Sequence, residues 1–164
     1  MDKETAETIQ QVHRLFKERH LTLSVAESCT GGLVSHYLTS LPGASEFFEA
    51  GLVTYSYEAK RRILDIPAGE LEKYGAISEE TARKMAEQAR TLTGTDYGLA
   101  TTGNLGPGVL EGRERGLVYI AAGTDESVIA RRLVLSEERG PNKKRAALEA
   151  LKLLIELAGD FNTI

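Results

Sequence analysis

A chain of 164 residues, 41% hydrophobic and 27% charged, has the size and composition of one globular domain with its own core. No apolar run approaches the ~18–20 residues of a membrane span, and the acidic opening MDKETAETIQ is unlike a secretory signal. The net charge of −4 argues against a general nucleic-acid binder and the single cysteine, Cys29, against a disulfide framework, so a reducing, cytoplasmic setting is expected.

No repeat, low-complexity stretch or linker divides the chain, and residues 1–164 are read as one domain. Residues 4–19 form an amphipathic helix with Ile9, Val12, Leu15 and Phe16 on one stripe. Leu21–Ala26 is a short buried strand, and Gly31 and Gly32 open a helix over 33–40 that stops near Pro42 and Gly43. Phe47–Tyr55 is the next strand, 57–64 a short helix, and Pro67 begins a further short turn. Ser78 caps a helix whose first turn carries Glu79 and Glu80, whose inner face is Ala82, Met85, Ala86, Ala89 and Leu92, and which ends near Gly94. Tyr97–Thr101 is a third strand; Leu117–Ala122 and Val128–Leu135 form a β-hairpin. The last helix runs over 142–158, with Leu148, Leu151, Leu154, Ile155 and Ala158 inward. Early alternation and a late hairpin predict an α/β fold: an α-β-α sandwich with a mixed parallel/antiparallel sheet and helices on both faces.

Three segments carry chemistry. In Ala26-Glu27-Ser28-Cys29-Thr30-Gly31-Gly32 a strand runs into a helix N-terminus, where free N–H groups favour developing negative charge. Ser28 is there a candidate nucleophile with an oxyanion hole beside it, or else Ser28 or Thr30 simply caps the helix. Cys29 is either a second nucleophile with its pKa lowered by the helix end, or a packed core residue. His13, His20 and His36 are not placed to serve a thiol, and no zinc-ligand spacing occurs. In Val53-Thr54-Tyr55-Ser56-Tyr57-Glu58-Ala59-Lys60 the lysine is a candidate base if buried, assisted by Tyr55, or a surface residue beside Arg61 and Arg62. Thr101-Thr102-Gly103-Asn104-Leu105-Gly106-Pro107-Gly108 follows a strand, as ligand-binding loops of α/β sheets do, but lacks the Gly-Lys-Ser/Thr of a phosphate loop. A basic run, Arg131, Arg132, Arg139, Lys143, Lys144 and Arg145, is either a site for one small anion or a solvated face.

Taken together and in order, AESCTGGL, LPGAS, GLVTYSYEAK, KYGAIS and TTGNLGPG resemble the CinA C-terminal domain family over about residues 5–158. The resemblance implies deamidation of nicotinamide mononucleotide to nicotinate mononucleotide and ammonia, with a pyridine nucleotide as partner and neither metal nor cofactor. It implies Ser28 as nucleophile, Lys60 as general base and Tyr55 beside them. Ser45 falls at a supporting serine position, and Thr102 at the hydroxyl before Gly103. Arg139 matches an arginine that contacts the phosphate or a nearby acid, and the backbone of Cys29, Thr30 and Gly31 supplies the oxyanion donors.

The sequence departs from the family pattern in the neighbourhood that recognises substrate. Asn104 and Leu105 replace an Ile-Ala pair, residues 108–116 are rewritten and about one residue shorter, and Tyr57 stands where Asn is usual. Two function classes follow: a deamidase that keeps Ser28 and Lys60 within reach of each other, or a binding or regulatory module without turnover. Assembly is open, with a homodimer among the options.

Overall fold

The computed structural model describes residues 1–159. Its elements in order are α1 (Lys3–Glu18), β1 (Leu23–Glu27), α2 (Leu33–Thr39), a 3₁₀ turn (Ala44–Glu46), β2 (Phe48–Val53), α3 (Tyr57–Arg62), α4 (Ala68–Tyr74), α5 (Glu79–Thr93), β3 (Tyr97–Gly103), β4 (Leu117–Gly123), β5 (Val128–Val134) and α6 (Arg139–Gly159). The turn expected after Pro67 is the full helix α4. α6 begins three residues earlier than its apolar spacing suggests, which places Arg139 in its first turn.

The five strands lie in the order β2-β1-β3-β4-β5. β1 pairs in parallel with β2 and β3, and the β3–β4 and β4–β5 pairs are antiparallel, giving the expected mixed sheet. The connection from β1 to β2 runs one way across the sheet and that from β2 to β3 the other. Crossovers of one hand then send their helices to opposite faces. Accordingly α2 packs with α1 and α6 over one face, around Val12, Phe16, Val25, Leu99, Leu151 and Leu154. α5 covers the other face with Met85, Ala86 and Ala89, joined by Leu64 and Ile66 just past α3. β1 and β3, covered on both sides, are buried almost throughout.

Local chemistry accounts for the boundaries. Asp2 caps α1 through Thr5 N–H at 2.8 Å, and Ser78 caps α5 through Thr81 N–H at 3.1 Å. Gly94 ends α5 in the left-handed conformation at φ +68°. One inward residue is corrected: Leu92 is 52% exposed. At 100° per residue the stripe through Ala82, Met85, Ala86 and Ala89 passes over Thr93 instead, and the Thr93 hydroxyl donates to the Ala89 carbonyl at 2.7 Å. Ile155 is only partly buried, on the edge of the α6 stripe.

Candidate active site

The carboxyl ends of β1 and β2 part toward opposite faces, and a crevice opens there, as expected where connections diverge in an α/β sheet. Ser28 follows β1 directly. Its N–H donates to the Thr101 carbonyl of β3 at 2.9 Å, and on the other side Thr54 N–H donates to the Glu27 carbonyl at 2.9 Å. The hydroxyl is thereby fixed between three strand ends. Gly31 and Gly32, at φ +59° and +104°, then swing the chain into α2 through angles that side chains resist.

Ser28 does not cap α2, and neither does Thr30. The helix has Gly32 at its cap position with no side-chain bond of its own. Glu27 does the capping from the rigid end of β1. Its fully buried carboxylate accepts from Val34 N–H (2.8 Å), Ser35 N–H (3.0 Å), the Ser35 hydroxyl (2.8 Å) and the Thr30 hydroxyl (2.6 Å). Thr30 also shares a 2.7 Å hydrogen bond with the Thr101 hydroxyl and is wholly buried beneath the crevice. Sequence reasoning passed over Glu27. Its one signal is a carboxylate ending an apolar strand just before a glycine-led helix start.

Lys60 is 1% exposed, so the surface-lysine alternative is excluded. The amine extends from α3 back to the end of β2. It lies 2.9 Å from Ser28 Oγ, 2.8 Å from the Thr54 carbonyl and 3.2 Å from the Tyr55 carbonyl. Burial lowers its pKa to about 8, opposed by the smaller pull of Cys29 and Glu111. A neutral amine has two N–H bonds and one lone pair. With both hydrogens engaged by the two carbonyls, the lone pair faces the serine hydroxyl.

The cleft around this pair holds about 260 Å³ and is lined by Tyr55, Tyr57, Ala76, Ile77, Gly103 and Glu111, among others. Cys29 borders it, but burial pushes the thiol up to about 12, which removes it as a nucleophile at neutral pH. Of the three N–H groups singled out beside Ser28, that of Gly31 donates to the Ser28 carbonyl at 3.1 Å. Those of Cys29 and Thr30 have no acceptor among the described residues. Tyr55 is 58% exposed; only its backbone carbonyl meets the Lys60 amine, while its phenol accepts from Arg139 Nη2 at 3.0 Å. Arg139 Nη1 donates to the Gly106 carbonyl at 2.7 Å, so this side chain ties α6 and the 104–108 loop to the cleft rim.

Thr102 donates to the Ala76 carbonyl at 2.6 Å and holds the segment before α5 against β3. Gly103 is required by close packing, since a Cβ there would stand 2.7 Å from the Leu117 carbonyl oxygen. Ser45 is elsewhere. It is exposed in the 3₁₀ turn ahead of β2, and the Leu23–Phe48 pairing puts that turn at the far end of the sheet from Ser28. A strand's length separates the two because parallel strands place the start of β2 beside the start of β1. The basic run is divided: Arg131 pairs with Glu156 at 2.9 Å and Arg145 with Glu149 at 2.8 Å, whereas Arg139 reaches the rim residue Tyr55 and the Lys143 amine lies against Gly31, 3.3 Å from where a Cβ would stand.

The departures in the loop are ordered features. Asn104 Nδ2 donates to the Gly108 (2.7 Å) and Arg113 (3.1 Å) carbonyls, and its Oδ1 accepts from Gly106 N–H at 3.0 Å, stapling the rewritten segment from within. Glu111, unnoticed in the sequence, accepts from Ala76 and Ile77 N–H at 3.4 and 3.2 Å, while the Tyr57 phenol accepts from Ala76 N–H at 3.3 Å. The rewritten loop and Tyr57 therefore meet on one wall of the cleft.

Fold and site together define an α/β domain with a buried serine–lysine pair at a strand switch point. The model of the CinA C-terminal domain matches residues 5–158, and the chain belongs to that family. A crystal structure of a competence-damaged protein (CinA) superfamily protein from Klebsiella pneumoniae superposes with a TM-score of 0.92 at 30% identity, covering 95% of this chain and 98% of that one. That of the competence/damage inducible protein CihA from Agrobacterium tumefaciens gives 0.92 at 31%, covering 96% and 97%. A CinA-like protein of Syntrophus aciditrophicus is 50% identical over 131 residues, 79% of this chain and 31% of the relative. A relative from Thermoanaerobacter pseudethanolicus is 44% identical over 155 residues, 94% of this chain. The chain spans about a third of the length of these curated relatives, 37% in the last case. Among the described residues no helix is long and apolar enough to cross a membrane.

Proposed function

We propose that this protein is an amidohydrolase that deamidates nicotinamide mononucleotide, with Ser28 as nucleophile and Lys60 as general base. The observation that carries the reading is the 2.9 Å approach of a buried, carbonyl-held amine to a serine hydroxyl. The neutral amine takes the Ser28 proton as Oγ bonds to the carboxamide carbon, and the Cys29 and Thr30 N–H groups stabilise the oxyanion. The lysine ammonium returns that proton to the departing nitrogen, releasing ammonia and leaving the nicotinoyl ester on Ser28. Water, deprotonated by the same amine, then attacks the ester; the acid is released and the serine regenerated. Arg139, at the rim, meets the substrate's phosphate, and Tyr55 orients the arginine. The same reading puts the protein in the cytoplasm with no resident cofactor.

Ammonia release from nicotinamide mononucleotide tests it. Ser28→Ala and Lys60→Met should each lower the rate by at least about three orders of magnitude. Equal release from wild type and Ser28→Ala would remove the hydrolase reading. Saturable binding of the mononucleotide with no release by wild type would favour the binding module, to which the rewritten 104–116 segment points.

A further inference from the structure

The cleft carries an ionisable group that the amide chemistry leaves unused. Glu111, a solvent-exposed residue, lines the cleft with its carboxylate held by the Ala76 and Ile77 N–H groups, and no described cation lies within ion-pair distance of it. The peptides that hold it are themselves anchored, because Thr102 binds the Ala76 carbonyl from the β3 side. Around it stand Tyr55, Tyr57, Ile77 and Leu110, a lining that suits a flat aromatic ring. Among the described residues that line the cleft the basic one is Lys60, which must be uncharged to accept a proton; Arg139 stays outside at the rim, on the Tyr55 phenol. In the working state the charge carried by the cleft lining itself is therefore the Glu111 carboxylate, with the Arg139 guanidinium at the rim and the Lys143 amine beside Gly31.

We propose that Glu111 is a specificity-determining residue that selects amides borne on a cationic aromatic ring over neutral ones. The inference rests on the cleft being the substrate site and deepens the reading above. A cation seated between the tyrosines and this carboxylate gains Coulomb attraction and ring-face contact together. It also offsets the field by which Glu111 favours the charged form of Lys60, so the preferred substrate frees the base as it binds. A neutral amide of the same shape gains neither effect.

Binding of 1-methylnicotinamide, a permanent cation, and of nicotinamide, its neutral counterpart, is compared by calorimetry at low salt. Wild type should prefer the cation on the order of fivefold, a size set by a partly solvated ion pair. Glu111→Gln should bring the two near equality, and Glu111→Lys should reverse their order. An unchanged preference in Glu111→Gln, or none in wild type, overturns the proposal. Ammonia release from nicotinamide mononucleotide is read on the same proteins. Glu111-dependent cation preference without release would sink the hydrolase reading alone, and release with charge-blind binding would sink this inference alone.

Discussion

In the proposed mechanism Lys60 sets the pH dependence. Its amine, lowered to about 8 by burial, is free in roughly a tenth of molecules at pH 7 and in most above pH 9. We expect kcat/KM for amide hydrolysis to rise about tenfold per pH unit below 8 and to level off above it. A flat profile from pH 6 to 9 would remove lysine as the base. Stability follows the same group. The folded pKa lies below the unfolded value of 10.5, so between about 8 and 10.5 the unfolded chain binds more protons and folding gains stability as pH rises. Below pH 8 the buried charge is a standing cost. Lys60→Met should therefore be more stable than wild type at pH 7 by about 1–2 kcal/mol, after loss of the two carbonyl contacts, with the gap closing toward pH 10 in urea titrations. None of this is legible in Tyr-Glu-Ala-Lys-Arg-Arg, which reads equally as a solvated helix turn. The lysine's burial comes from the strand end folding back over it, and only the ordered set of motifs singled it out. In sequence Ser28 also reads as a helix cap; in the structure Glu27 fills that role for α2.

Among the elements, the β1–α2 junction depends on one carboxylate. Glu27→Ala would take the acceptor from the Val34 and Ser35 N–H groups and the Ser35 hydroxyl, leaving Thr30 its bond to Thr101, and a loss of about 2–4 kcal/mol is expected from denaturant unfolding. Glu27→Gln, which keeps the shape and part of the acceptor capacity, should lose about half as much. Gly103→Ala would drive a methyl into the β4 backbone; about 2–4 kcal/mol of destabilisation should appear in the same assay. The helices and strands were largely legible because caps at Ser78 and Gly94, the glycine pair and the 3.6-residue stripes are local signals. α4 was not, since seven residues led by a proline carry too little periodicity. The distance from Ser45 to the dyad was also hidden, because the residue's position depends on β2 lying parallel to β1 and not on its neighbours in the chain.

Across the whole molecule, the five strands share one sheet that both helical layers grip, with β1 and β3 at its buried centre. We expect the 164-residue chain to unfold in one transition, with far-UV and tyrosine signals superimposable in urea. Separate midpoints would mean that the β4–β5 hairpin or α6 melts independently. Fold class was legible from the order of elements, since alternation followed by a hairpin fits a mixed sheet. Strand order was not, because it is decided by which edge of β1 each crossover returns to. The cleft follows from that undetermined choice: with β2 and β3 on either side of β1, the two connections diverge directly above Ser28.

The thiol adjoining Ser28 has a practical bearing. Cys29 is 4% exposed and stays protonated until about pH 12. Alkylating agents and mild peroxide should leave it untouched, so the protein needs no reductant in storage. A fluorophosphonate probe should then mark a single residue, Ser28, leaving intact mass spectrometry one adduct to count.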